Sequence, residues 1–223
     1  MRLVTPPGVF RPHSDSLLLA EYLKKAVVPG ASVADICTGS GVLAIAAARA
    51  GADDVTAVDV SRRAVLTAWV NARLNGVSVR ARRGDLLAPL DGDRFDLIVS
   101  NPPYVPAADD ELPTRGAARA WDAGRDGRAL LDRICAQAPA RLRPGGAVLV
   151  VHSSVCDADR TLAMLTRGGL VAEVVLRSRG PLGRLLSERR ATLEQRGLLP
   201  PGAREEEIVV IQGRKPAVDA AAA

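Results

Sequence analysis

Short runs of apolar, often β-branched residues alternate along the chain with longer segments whose apolar positions recur at helical spacing. That alternation predicts an α/β fold with a mainly parallel sheet. Strands are expected over residues 32–36, 54–58, 77–82, 95–100, 147–152, 170–177 and 208–212. Helices are expected over 14–28, 42–50, 62–75, 128–142 and 157–166. The first helix presents Leu17, Leu18, Leu19, Tyr22 and Leu23 on one side. Gly76 and the run Pro144-Gly145-Gly146 act as stop signals. Between Tyr104 and Gly124 lies a loop long enough to be functional. Residues 180–202 are Arg-rich, with Leu182, Leu185, Leu186 and Leu193 at near-helical spacing, and read as an amphipathic surface helix with solvated arginines. No repeat or inter-domain linker interrupts the pattern. A single domain is expected over 1–213, with a leading segment and helix at 1–28 and a frayed tail from 214 to 223.

Composition narrows the partners more than the fold. Hydrophobic residues make up 48% of the 223 positions and aromatics only 3%, so the core must be built from Ala, Val, Leu and Ile. No stretch approaches the roughly 18 apolar residues of a membrane span. Residues 1–12 lack the apolar core of a secretory signal, so a cytoplasmic location is expected. The net charge of +5 comes almost wholly from arginine, the only lysines being Lys24, Lys25 and Lys215. That excess permits an acidic or nucleic-acid-associated partner, and genomic base composition accounts for it equally well. Cys37, Cys135 and Cys156 form no CxxC pair and have no His at ligand spacing, so no metal site is expected and buried reduced thiols are. His152 ends an apolar run and reads as a strand-end residue.

The chemistry concentrates in Asn101-Pro102-Pro103-Tyr104, directly after the apolar run Phe95–Ser100. A carboxamide, prolyl-flanked carbonyls and an aromatic ring at a strand end suit a planar –NH2 group. The Asn oxygen and a nearby carbonyl accept its two hydrogens, and the ring packs on its face. The nitrogen is then aimed at an electrophile, as methylation of an amide or exocyclic amine requires. A stiff turn ending the strand is the plainer alternative.

A second constellation lies upstream. Asp35-Ile36-Cys37-Thr38-Gly39-Ser40-Gly41 follows the first strand and opens a helix, with glycines that let a ligand approach the backbone. Asp59 ends the second strand, where a carboxylate takes both ribose hydroxyls of an adenosine ligand. Asp85, in Gly84-Asp85-Leu86, ends the third, where it accepts from the adenine amine. Each Asp alone fits a turn or N-cap, and the glycines alone do not exclude a nicotinamide. The three carboxylates at one sheet edge, however, suit a cationic adenosine cofactor, S-adenosylmethionine, better than a pyrophosphate.

On these motifs the chain resembles class I S-adenosylmethionine-dependent methyltransferases. More narrowly it resembles the HemK/PrmC-like glutamine N5-methyltransferases, which modify the Gly-Gly-Gln loop of translation release factors. Residues 10–16 are similar to the family's stretch before its first helix, and residues 121–128 to a Trp-x-x-Gly segment of its short branch. That branch lacks the N-terminal helical domain of the bacterial enzymes, and its eukaryotic members work with a small activating subunit. The resemblance implies a Rossmann-like seven-stranded sheet with one antiparallel strand. It implies cofactor binding by Asp35, Cys37, Thr38, Gly39, Gly41, Asp59, Val60, Asp85, Leu86 and Asn101. It implies catalysis by Asn101, Pro102, Pro103 and Tyr104, and an acceptor wall from Pro12, Trp121 and Arg125, although Trp121 fits a plain core position equally well. The expected acceptor is a protein glutamine, such as that of a release factor. A nucleic-acid amine is the second reading: no target-recognition domain or aromatic platform is present, although the arginines of 177–196 offer phosphate contacts. A small-molecule acceptor is third, and no membrane partner is expected.

Overall fold

A computed structural model describes residues 1–217. Among the described residues seven strands form one sheet: β1 (Ser32–Ile36), β2 (Asp54–Asp59), β3 (Arg80–Arg83), β4 (Phe95–Ser100), β5 (Leu142–Ser153), β6 (Val171–Pro181) and β7 (Glu205–Arg214). Their order is β3-β2-β1-β4-β5-β7-β6, and β7 alone runs against the rest. The helices are α1 (Ser14–Ala26), α2 (Val42–Arg49), α3 (Arg62–Leu74), α4 (Ala129–Arg141), α5 (Ala158–Arg167) and α6 (Arg184–Gln195). This is the mainly parallel α/β architecture that the sequence pattern predicts, with the one antiparallel strand that the resemblance implies.

Strand periodicity builds two cores. Val33, Val55, Ala57, Leu97, Val99 and Leu149 face α1, α2 and α3. The alternate residues Ala34, Ile36, Val58, Ile98 and Val148 face α4 and α5. With helices on both faces, the central strands are apolar on both sides, which is why they read as continuous apolar runs. Gly41, with φ +82°, sits where a Cβ would come within 2.9 Å of the Ala68 backbone, so its glycine lets α2 pack closely on α3.

Several boundaries differ from expectation, each for a pairing reason. β3 begins at Arg80 because the ladder with β2 starts at Thr56↔Arg80. β5 begins at Leu142, before the Pro-Gly-Gly run rather than after it, because Leu142 pairs with Phe95 across an irregularity in the register. Residues 218–223 of the expected tail lie outside the described residues. Before them, Arg214 closes β7, and the Lys215 ammonium donates to the carbonyls of Pro139 (2.9 Å) and Leu142 (3.1 Å), where α4 ends.

β6 and β7 reach further than expected and carry α6. The β5–β7 ladder ends at Ser153↔Ile208, whereas β6 and β7 continue pairing through Pro181↔Glu205. The two strands thus project beyond the sheet as a ribbon with α6 between them.

Candidate active site

A cavity of about 1920 Å³ opens along the carboxyl ends of the strands. Its lining unites the two sequence constellations: Cys37, Thr38, Gly39, Asp59, Val60, Asp85 and Leu86 on one side, and Asn101 to Tyr104 on the other. Open α/β sheets bind ligands at this edge. Pro12 and Trp121 also line it. Asp35, Gly41 and Arg125 do not. Asp35 is fully buried beneath the turn, Gly41 packs against α3, and Arg125 is exposed outside the cavity.

The Gly-rich turn is held from below and behind. Asp35 Oδ2 accepts from the Thr38 hydroxyl (2.5 Å) and from the Ala44 N–H (3.0 Å), fixing the turn onto the start of α2. Its other oxygen, Oδ1, is buried and has no hydrogen-bond partner among the described residues. Burial raises the Asp35 carboxyl to about 7, against the lowering effect of those two bonds. Asp59 accepts from the Gly39 N–H (3.0 Å) and the Ser61 N–H (2.9 Å). Burial likewise raises its carboxyl, and Arg119 nearby opposes the rise. Cys37 is left-handed at φ +60°, and burial pushes its thiol well up, so it sits at the cavity as a neutral S–H. Asp85 is half-exposed and pairs with Arg133 of α4 at 2.5 Å. An exposed pair of this kind is weakly held and opens easily to a ligand.

The Asn101–Tyr104 tetrapeptide is oriented by residues far away in sequence. Asn101 Nδ2 donates to Asp15 Oδ2 (3.0 Å) and reaches Ser16 Oγ at 2.8 Å. The Tyr104 hydroxyl donates to the same Asp15 oxygen at 2.9 Å. A carboxylate only accepts, so the Asn101 nitrogen must face Asp15 and its Oδ1 must face away. Among the described residues Oδ1 accepts no hydrogen bond and stays available to a ligand. Burial, and then the neighbouring Asp15, raises the Tyr104 hydroxyl well above its ordinary value, so the phenol is neutral.

Asp15 and Ser16 are buried at the start of α1; they fall in the stretch 10–16 that resembles the family's, but their role as partners of Asn101 and Tyr104 was not read from the sequence. In the sequence they look like ordinary first-turn residues, acidic and small. The segment before them is anchored independently. Asn71, fully buried on α3, bonds the Val4 N–H (2.8 Å), the Val4 carbonyl (2.9 Å) and the Ser40 carbonyl (2.8 Å). One side chain therefore ties the leading strap and the Gly-rich turn together, and residues 7–16 run along the cavity.

The carbonyl side of Tyr104 is gripped as well. It accepts from the Cys156 thiol at 3.0 Å. Gly127, at φ +73°, packs so closely that a Cβ there would overlap the Tyr104 carbonyl. The neighbouring Arg128 is 2% exposed and pairs with Asp132 at 2.8 Å. It also donates to the carbonyls of Cys156 and Asp157. Gly127 and Arg128 fall in the segment that resembles the family's short branch, but their mechanical role was not visible there. His152 is buried, held between Thr161 and the Ser153 carbonyl and lowered to about 4, hence neutral and away from the cavity. Among the described residues no group of His, Cys, Asp or Glu is arranged to hold a metal.

Solved structures sharing this fold include a ribosomal protein L11 methylase from Lactobacillus delbrueckii subsp. bulgaricus (TM-score 0.60, 24% identity, 91% of this chain and 80% of that one). The E. cuniculi Mtq2–Trm112 complex, responsible for methylating a translation termination factor, also shares it (TM-score 0.60, 20% identity, 93% and 99%). The fold is that of class I methyltransferases.

The chain belongs to the methyltransferase small domain family, which matches residues 1–115, and it is a methyltransferase. A Methanocaldococcus jannaschii relative, named as a candidate protein N5-glutamine methyltransferase, is 35% identical over 83% of this chain and 93% of its own length. Release factor glutamine methyltransferases of Geobacter sulfurreducens and Bordetella pertussis are 37% and 39% identical over 74% of this chain. The chain spans only 60% and 63% of those two. The HemK/PrmC-like resemblance read from the motifs is thereby borne out.

Proposed function

We propose that this methyltransferase uses S-adenosylmethionine to methylate a glutamine side-chain amide of a protein in the translation machinery, such as a release factor. The single observation that carries the reading is the Asp15 clamp, because it commits the Asn101 nitrogen and leaves Oδ1 as an acceptor at the cavity. The names of the relatives supply the acceptor class.

The residues fit the cofactor. Asp59 lies at the end of β2 for a ribose, and Thr38 and Gly39 bring backbone to the cavity. When ionised, the buried Asp35 carboxyl, whose Oδ1 has no partner among the described residues, adds negative potential under a site for a cationic ligand. When bound, the cofactor supplies an electrophilic methyl group on a positively charged sulfur.

Asn101 Oδ1 and the Pro102 carbonyl accept the two hydrogens of the acceptor amide, and Tyr104 packs on its plane. An amide nitrogen is a poor nucleophile, so positioning carries most of the acceleration, an effect worth up to about 7–11 kcal/mol. As the N–C bond forms, positive charge grows on nitrogen and Asn101 stabilises it through the hydrogen it accepts. The proton becomes acidic only at that stage and leaves to solvent. This agrees with the burial of His152 away from the cavity.

The test is incubation with labelled methyl donor and separate pools of release factor, ribosomal protein, tRNA and DNA, with and without a candidate small activating subunit. Label on a protein glutamine is expected, and Asn101→Ala should abolish it while cofactor affinity stays within a few-fold. Label confined to nucleic acid would reject the glutamine reading. A translation acceptor also fits a cytoplasmic location, and among the described residues no helix is long and apolar enough to cross a membrane.

A further inference from the structure

The Arg-rich segment was expected to be a solvated surface helix, and half of its arginines behave that way. Arg184 and Arg190 make exposed pairs along α6 with Glu188 and Glu194. Arg189 and Arg196 do something else. Arg189 Nη1 donates to the Pro106 carbonyl at 2.7 Å and to Asp122 Oδ1 at 2.6 Å, with the Asp122 side chain only 13% exposed. Arg196 donates to the carbonyls of Ala107 (2.6 Å), Ala108 (3.0 Å) and Arg125 (3.2 Å). Every one of these acceptors lies between the catalytic tetrapeptide and α4, and all but the Arg125 carbonyl lie in the loop before Gly124.

That loop is pinned to itself at a few points among the described residues. At its base one bridge has the Val105 N–H donating to the Trp121 carbonyl (2.7 Å) and the Ala123 N–H to the Val105 carbonyl (3.1 Å), followed by the Ala107 N–H to the Gly124 carbonyl (2.8 Å) and the Arg125 N–H to Asp110 (2.9 Å). Val105 is the residue after Tyr104. Beneath the bridge sits a small apolar cluster separate from both sheet cores, and most of it comes from the ribbon and α6: Leu182, Leu186, Leu193 and Leu199 cover Val105, with Trp121 packed at its margin. The arginine bonds and this cluster act on the same few residues. The loop's carbonyls would otherwise face water, and its apolar side chains would lack a partner.

We propose that α6 braces the acceptor wall, and that Arg189 is a positioning residue for methyl transfer, acting through Asp122 and its bridge to Val105 on Tyr104. The inference rests on the glutamine-transfer reading for its activity assay, but its structural content does not. Arg184, Leu185 and Leu186 of α6 line the cavity beside Trp121 and Asp122. The brace therefore also forms part of the wall against which the segment flanking the acceptor amide lies.

The register supplies a direct test. Pro181 and Glu205 are cross-strand partners, so residues 182–204 can be replaced by a two-residue Asn-Gly turn without disturbing the ladder. The excised protein should bind cofactor within about threefold of the wild type and lose at least 100-fold in kcat/KM toward the protein acceptor. Because excision uncovers Val105 and Val155, a point variant accompanies it. Arg189→Met keeps the stem packing and removes the charge. It should lower kcat about 10-fold or more with cofactor affinity unchanged.

Trp69 and Trp121 are the only tryptophans, so Trp121 emission can be read alone in a Trp69→Phe background. Arg189→Met should shift that emission to the red as the wall loosens. An unchanged kcat in Arg189→Met would overturn the positioning role whatever the emission does. If the wild-type protein methylates no protein acceptor, the proposed function fails by itself, and an unshifted Trp121 emission then decides against the brace.

Discussion

On the cofactor side of the cavity, Asp35 and Asp59 sit at strand ends and their hydrogen-bond partners lie within 20 residues, whereas the exposed Asp85–Arg133 pair spans 48. Asp35 holds Thr38 and Ala44, and Asp59 holds Ser61. On the acceptor side the opposite holds. Asn101 and Tyr104 are oriented by Asp15, 86 and 89 residues away, and the following loop is tied to α6 through Arg189 and Arg196 at separations of 67 to 89. A strand-to-helix turn can be built from local geometry and the dipole of one helix end. A clamp for a planar amide needs a carboxamide, a ring and two walls at fixed mutual angles, and no single element of the sheet supplies them. The difference predicts that damage on the acceptor side spreads through the scaffold into kcat, whereas damage on the cofactor side stays in the binding constant.

The harshest break of that contrast is Gly127→Ala. The new methyl group meets the Tyr104 carbonyl at a left-handed position, so either the catalytic loop moves or the segment before α4 does. A displacement of about 1 Å at a reacting group costs on the order of 100-fold. We expect kcat to fall by at least that much in steady-state assays, with cofactor affinity, read by calorimetry, changed less than threefold. A variant whose cofactor affinity collapses as far as its kcat would show that the two sides are one mechanical unit.

Asp15→Ala comes next. It removes the acceptor shared by Asn101 and Tyr104, leaving both free to turn. We expect a loss of 10- to 100-fold in kcat, since one charge-assisted bond to each group is worth about 1.5–3 kcal/mol. Serine at 16 gives Asn101 a remaining partner, which keeps the effect below that of Gly127→Ala. Recovery of wild-type kcat with Asp15→Ala would mean the tetrapeptide is rigid enough to orient itself.

Asp59→Ala tests the other side. The carboxylate holds the Gly39 and Ser61 N–H groups and faces the cavity, so its loss should weaken cofactor binding about 10-fold or more. At saturating cofactor, kcat should stay within a few-fold of the wild type. A kcat loss that saturation does not repair would erase the distinction between the two halves.

What was legible in the chain follows the same division. The strands β1 and β4 matched the expected spans because two buried faces make an apolar run with sharp ends. The motif aspartates were readable because each ends a strand. Asp15 was not, because an acidic residue in the first turn of a helix has an ordinary explanation in the helix dipole. Arg189 was not, because nothing in an Arg-rich amphipathic stretch distinguishes the arginine that meets a buried Asp from the one that meets water. Gly127 was readable as part of a resemblance but not as a mechanical stop, since its contact is with a backbone carbonyl 23 residues earlier in the chain. Arg125 illustrates the converse: its exposure outside the cavity depends on how the loop packs under α6.

The finest test uses Asp35, whose side chain belongs to the cofactor side yet never touches the cavity. Burial raises its carboxyl from 3.8 to about 7, so the folded state holds that proton more tightly than the unfolded chain does. The contribution to stability is therefore full below about pH 4, declines as pH rises, and is gone above about 7. There the ionised group costs on the order of 4 kcal/mol in the ligand-free protein. Asp35→Asn keeps an oxygen for Thr38 and Ala44 and removes the charge. Thermal melts should find the variant more stable than the wild type at pH 8, with the gain shrinking toward pH 5. Cofactor binding should move the other way. An ionised Asp35 favours a cationic ligand above it, so wild-type affinity should rise a few-fold between pH 6 and 8 while the variant's stays flat. If both proteins show the same pH profile for binding, the unpartnered oxygen serves the turn alone, and the charge that draws the ligand must come from Asp59 and Asp85.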